Sequence, residues 1–369
     1  MKRLVLVGGG HAHVGVLRAF AREPLAGCEV TLASLSDRQV YSGMVPGFVA
    51  GHYPFDECAI ALAPLAQAAG ASFRRAAASL VDPARGEVIL ADGGTLAYDV
   101  LSLDVGSLAF VGEVIGVERH AVPVRPLEEG MRGWERVRAR ANAGGLVAIT
   151  MVGGGAAGVE LALAMDHRLR TDFGRGAPHL RVLTDAPKPL AELPTGAASR
   201  LERHLRDRGI GVHCGARVRE VGANFVRLEG GNEFATGATF WSAGGAPPGL
   251  VRDSGFATDA RGYLLTNDFL QSVSHANVFG AGDCATQRGR ERPKAGVFAV
   301  RAAPALAANL RAAIAGTPLA PHLTGKRFLA LVSTGSRHAV AAWSGLSWEG
   351  DWVWTWKDRI DRKFVEGRA

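Results

Sequence analysis

The chain has 369 residues, 47% of them hydrophobic and 21% charged, which suits two or three cores of an ordinary globular protein. A net charge of +7 with no long run of like charge argues against nucleic acid as a partner. Four scattered cysteines without C-x-x-C spacing give no metal centre, and with no secretory signal after Lys2 and Arg3 the expected setting is the cytoplasm.

The first predicted element is a strand that runs into glycine. In "LVLVGGGHAHVGVL" β-formers meet Gly8, Gly9 and Gly10, and a helix follows. The dinucleotide fingerprint G-x-G-x-x-G requires a third glycine where His13 stands. Its larger side chain is expected to push the helix off the strand, with Gly15 recovering some closeness. The next strand, in "CEVTLASLSD", places Ser34 where an acidic residue would hold a ribose hydroxyl, and Asp37 follows three residues later.

The longest uncharged stretch, 141–159, holds six glycines and is not read as a membrane span. Within it, "VAITMVGGGAAGVELALA" carries the complete pattern: Gly153, Gly155 and Gly158, with Ala156 and Ala157 between the last two. Val159, Leu161, Ala162 and Met165 give the following helix an apolar face. The first glycine permits the tight turn, the second lets backbone approach a pyrophosphate, and the third packs helix on strand. Asp185, at the end of "HLRVLTDAP", suits an unphosphorylated ribose and so NADH over NADPH. Two such sites in one chain imply a flavin and a nicotinamide dinucleotide.

Late in the chain, "NVFGAGDCA" is a strand followed by G-x-G-D, and it resembles the second flavin motif of the pyridine nucleotide-disulfide oxidoreductase superfamily. "YDVLSLDVGS" and "ATFWSAGGAPP" resemble that family's crossovers between domains. "RPKAGVFAVRAAPALAANL" resembles the helix whose N-terminus faces the flavin pyrimidine. Within the superfamily the chain looks closest to the type II NADH dehydrogenase and sulfide:quinone oxidoreductase branch. "GGGHAHVGVL" and "VYSGMVPGFVAGHYPFDEC" further resemble the flavoprotein family sometimes fused to selenophosphate synthetase.

The resemblance implies an α/β fold of two doubly wound Rossmann-like domains, the second inserted in the first, plus a small C-terminal module. The expected bounds are 1–115 with 255–318 for FAD, 116–254 for NAD(P)H and 319–369 for the C-terminal segment. It implies FAD contacts from Gly8, Gly9, Gly10, His11, Ala12, His13, Ser34, Arg38, Ala78, Gly106, Gly282, Asp283, Lys294, Gly296 and Val297. For NAD it implies Gly153, Gly155, Ala156, Ala157, Gly158, Glu160, Asp185 and Gly244. Glu160 and Lys294 are the expected catalytic residues, Glu160 near the reacting rings and Lys294 stabilising negative charge on reduced flavin. No metal is expected.

Classical members carry a C-x-x-x-x-C redox pair where this chain reads "QVYSGMVPGF", without cysteine. The implied function is therefore hydride transfer from NADH to FAD, with electrons passed to a quinone-like acceptor without a redox disulfide. Alternatives are oxidation of sulfide or selenium compounds coupled to quinone, and a flavoprotein whose redox state controls partner binding. After the linker "IAGTPLAPHLTG" the final segment holds five of the seven tryptophans. A β-hairpin is expected first, then from Trp356 an amphipathic helix with Trp356, Ile360 and Phe364 on one stripe. Tryptophan beside basic residues suits the cytoplasmic face of a membrane, and a core-docking or homodimer face is the other reading.

Overall fold

The computed structural model describes residues 1–145 and 148–367. Val147, expected in the strand before the second glycine motif, and the last two residues of the C-terminal segment lie outside the described residues. Two compact units form: Met1–Gln39, Ala59–Leu108 and Ala246–Lys326 make the first, and Val40–Cys58, Ala109–Gly245 and Arg327–Ala369 the second.

The first unit is built on a five-stranded parallel sheet. Its strands lie in the order Val278–Gly280, Val100–Leu103, Lys2–Val7, Cys28–Ser34, Ser72–Arg75. Leu4 to Val7 are all buried, the continuous apolar run of a strand covered on both faces. Val5 and Val7 pack with Leu101, Leu103, Val81 and Val88, the last two from the antiparallel sheet Ala78–Asp82, Glu87–Leu90 and Thr95–Ala97. The helices His11–Arg22 and Gly296–Ala315 pack on each other, and a Cβ on Gly15 would lie 2.4 Å from the Ala303 Cβ. Gly15 thus serves a helix–helix contact, not the helix–strand contact expected of it. Among the described residues Gly296–Ala315 is long and apolar enough to cross a membrane, yet Phe298, Ala302, Leu306 and Leu310 are buried in this unit.

The second unit repeats the plan. Its parallel sheet has the order Ala121–Pro123, Ala238–Trp241, Ala148–Val152, His179–Leu183, Gly211–His213. The helix Ala156–Phe173 follows the central strand and packs against Val45–Ala50. A Cβ on Gly51 would stand 1.9 Å from Arg168 Nη1. That packing draws Val40–Cys58 into the second unit, although the sequence places it in the first domain.

From Arg327 on, the C-terminal segment also belongs to the second unit, whereas 319–326 of the expected segment fall in the first. The expected hairpin has a third strand, Ala330–Ser333, Ala339–Trp343 and Leu346–Gly350 running antiparallel in order. Its helix spans Asp351–Glu366, beginning before Trp356. The buried side chains are Val353, Lys357, Asp361 and Phe364, whereas Trp352, Trp356 and Ile360 are 59%, 38% and 38% exposed. The expected stripe is therefore split. Lys357 pairs with Asp361 one turn on, and Phe364 stacks on Tyr41 with centroids 4.5 Å apart. These contacts choose the inward face and turn Trp356 and Ile360 away from it.

Candidate active site: two glycine cradles and a buried acid–base cluster

The two glycine turns are built alike, and the comparison explains His13. Gly8 (φ +93°) donates its N–H to Ala33 O, and Gly153 (φ +121°) does the same to Leu183 O, each at 2.8 Å. A Cβ on Gly8 would stand 2.3 Å from Asp104 O, and one on Gly153 2.8 Å from Ser242 O, so each first glycine passes the end of the neighbouring strand as bare backbone. At the third position Gly158 is pressed so close that its Cβ would fall 2.0 Å from Gly153 O. His13 meets the equivalent carbonyl differently. Its Nδ1–H donates to Gly8 O at 2.6 Å, and Nε2 accepts from the Ser102 hydroxyl at 2.8 Å. Burial lowers the pKa of His13 to about 4, so it is a neutral staple under the turn. That is a positioning role, where a cofactor contact was expected.

Asp104 joins the parts of the first cradle. Its carboxylate Oδ2 accepts N–H bonds from Ala12 and His13 at 2.8 and 3.0 Å, capping the first turn of the helix. A Cβ on Gly10 or on Gly282 would come within 2.3 Å of the same carboxylate, which ties the first glycine motif to the late G-x-G-D. Burial raises its pKa to about 7; the two N–H bonds oppose this and the charge of Asp283 adds to it. Sequence reasoning missed Asp104 as a site residue, although it lies within the crossover stretch "YDVLSLDVGS".

Gly9, whose Cβ would be 2.3 Å from Leu62 Cδ1 and 3.3 Å from Ser34 Oγ, brings Ser34 to the turn. Half-buried His11, its pKa lowered to about 4 by desolvation, opens the helix. Gly282, Asp283, Lys294, Arg290, Arg292 and Phe298 line one cavity. Lys294 Nζ donates to Ala285 O at 2.6 Å and Thr286 Oγ1 at 3.0 Å, over the Tyr263 ring, and burial lowers its pKa. Gly296 and Val297 begin the following helix. Gly106 (φ +72°) lies in the loop after Asp104. Arg38 is exposed at the start of a short strand, and Ala78 pairs opposite Leu90 in the antiparallel sheet. Bare glycine backbone at a helix N-terminus, with a ribose-side hydroxyl and a late aspartate, fits a dinucleotide such as FAD.

In the second cradle Ala156 and Ala157 form the first turn, and Asp185 is exposed two residues beyond the strand His179–Leu183. Gly244 (φ +56°) has its Cβ position 3.3 Å from the Phe110 Cβ. Sequence reasoning missed Glu192. Its Oε1 accepts the Ala156 N–H at 2.5 Å, the helix-end position a pyrophosphate would take.

Glu160, one turn further along, faces the C-terminal segment. Its Oε1 accepts the Ser333 N–H at 2.6 Å, and burial raises its pKa to about 7 despite the nearby Lys357 charge. Lys357 Nζ donates to Asp361 Oδ2 at 2.6 Å and to Gly43 O. Burial pulls the Lys357 pKa down, but Asp361 and Glu160 outweigh it and the value rises. Burial raises Asp361 against the pull of Lys357, and Tyr41 hydrogen-bonds it. Tyr53 donates to Asp358 at 2.5 Å. Of this cluster only Glu160 carried a sequence signal.

Paired cradles of this build define an oxidoreductase that works with FAD and a pyridine nucleotide. The chain belongs to the pyridine nucleotide-disulphide oxidoreductase family, whose model matches residues 2–303. An NADH dehydrogenase-like protein of Mycobacterium tuberculosis is 26% identical over 312 residues, covering 78% of this chain and 74% of the relative. A demethylphylloquinone reductase of Synechocystis is 26% identical over 333 residues, covering 86% and 81%. The fold matches the sulfide:quinone oxidoreductase of Aquifex aeolicus with a TM-score of 0.81 at 20% identity, over 100% of this chain and 92% of that one. These likenesses fall in the type II NADH dehydrogenase and sulfide:quinone oxidoreductase branch.

Proposed function

We propose that the protein transfers reducing equivalents from NADH to a quinone-like acceptor, with FAD held by the first unit and NADH by the second. FAD, when bound, supplies the hydride-accepting and electron-passing chemistry. The observation that carries the reading is the repeated cradle, with Asp185 beside the second one to bond a free ribose hydroxyl. Overall, NADH, one proton and a quinone give NAD⁺ and a quinol, so one proton must reach the acceptor in addition to the hydride equivalent from NADH. Glu160, with its pKa near 7, is suited to donate one, and the Lys357–Asp361 pair holds charge beside it. Buried Cys58 and Cys284 have thiols pushed up to about 12, which opposes a thiolate relay. The relatives named NADH dehydrogenase-like and demethylphylloquinone reductase support the donor and the acceptor class.

The exposed face of Trp352, Trp356 and Ile360 is the docking face for the cytoplasmic surface of a membrane, where a lipid-soluble quinone would be met. The test is anaerobic mixing of the FAD-loaded protein with NADH or with sulfide, followed by a soluble quinone. Flavin bleaching by NADH and reoxidation by quinone support the reading. Bleaching by sulfide alone would replace it with sulfide oxidation. No turnover with any acceptor would favour a redox-controlled binding role.

A further inference from the structure

We propose that His204, His338 and Glu349 form a binding site for a divalent transition-metal ion, with Zn²⁺ the ion their donor atoms suit. The three come from separate parts of the second unit: the helix Thr195–Asp207, the turn before the strand Ala339–Trp343, and the strand Leu346–Gly350. One donor atom from each lies within 4.8 Å of the other two. His204 Nε2 and Glu349 Oε2 are 3.1 Å apart. That is close to the roughly 3.3 Å between two ligands on a tetrahedral ion with bonds of about 2.0–2.1 Å. The two imidazole rings have centroids 5.1 Å apart.

Hydrogen bonding around His338 selects the tautomer that a metal needs. The Thr334 hydroxyl donates its proton to His338 O at 3.1 Å. Thr334 Oγ1 must therefore accept at its 3.2 Å contact with His338 Nδ1. The ring hydrogen is then on Nδ1, and Nε2 presents its lone pair. Such outer partners orient metal-binding histidines.

Glu349 divides its oxygens. Oε1 accepts from Arg200 at 2.8 Å and from Arg203, while Oε2 faces His204. These bonds fix the orientation of the carboxylate. The same two guanidiniums oppose added positive charge, so the affinity falls below that of a buried structural zinc. Two imidazoles and one carboxylate favour Zn²⁺, Cu²⁺ or Ni²⁺ over Mg²⁺ and Ca²⁺, which call for oxygen donors. Three protein donors leave one position for water. Bound there, the ion joins the helix Thr195–Asp207 to the strand that runs directly into Asp351–Glu366, the helix carrying Lys357 and Asp361.

The test is a Zn²⁺ titration of the purified flavoprotein against a competing chelator dye, with Co²⁺ absorption as a probe of tetrahedral coordination. One equivalent binds with a Kd of about 10 µM or tighter at neutral pH. His204→Ala and His338→Ala each weaken it by at least about tenfold and remove the Co²⁺ bands, and Thr334→Val weakens it about 10- to 100-fold. His338→Gln repeats the measurement if the alanine variant fails to fold. Wild-type affinity in any of the histidine variants, or no stoichiometric binding by about 100 µM Zn²⁺, overturns the site and leaves His204 and Glu349 as a hydrogen-bonded pair only.

Discussion

Replacing Glu192 with glutamine should tighten NADH binding. The Glu192 carboxylate accepts the Ala156 N–H at 2.5 Å, at the helix end where the pyrophosphate is expected to sit. A dinucleotide must release that carboxylate before taking the same N–H group. On an exposed surface a carboxylate at a helix N-terminus is worth about 0.3–1 kcal/mol. Glutamine keeps the side chain's size and one acceptor oxygen but removes the charge, so the Kd for NADH should fall about two- to fivefold. The gain should shrink as salt rises, because the interaction is screened. Equilibrium titration of NADH at low and high ionic strength measures both effects, and the free protein should lose a little thermal stability. An unchanged or weaker affinity at low salt would refute the reasoning and make Glu192 a residue that helps hold the nucleotide.

Asp283→Ala removes the aspartate beside Asp104 and Gly282, and the purified variant should retain less FAD, read from the ratio of flavin to protein absorbance. Asp185→Ser removes the charge that would repel a 2′-phosphate, so the ratio of kcat/KM for NADH over NADPH should fall at least several-fold; steady-state kinetics with both donors decide it. Asp104 and Glu160 each have a pKa raised to about 7, so between the ordinary carboxylate range and about pH 7 the folded chain holds more protons than the unfolded one. Stability should accordingly drop as pH rises from about 4 to about 7, and Asp104→Asn or Glu160→Gln should flatten that slope in thermal melts. Glu349, held at about 2, acts in the opposite window, and its contribution fades only as pH falls through the acid range. Trp352→Ser with Trp356→Ser removes two exposed, stacked rings and should abolish co-sedimentation with anionic liposomes without lowering the melting temperature.

The glycine motifs were legible in the sequence because their chemistry is local. A turn that passes a neighbouring strand within contact distance requires bare backbone at Gly8 and Gly153, and the strand before and helix after it announce themselves by periodicity. The α/β class and both dinucleotides follow from that local pattern, and the family from the resemblance carried by "NVFGAGDCA" and the motifs in order with it. The meaning of His13 did not, since it depends on the Gly8 carbonyl and on Ser102, which is 89 residues away. Asp104 reaches the helix start from 92 residues away and Glu192 from 36, and neither separation leaves a periodic trace. The expected stripe on the final helix was split for the same reason. Phe364 turns inward and stacks on Tyr41 beside the Lys357–Asp361 pair, while Trp356 and Ile360 stay exposed. Helix periodicity records which residues share a face. Only packing against a distant segment decides which face turns inward, and here Val353 and Phe364 turn inward together with the Lys357–Asp361 pair.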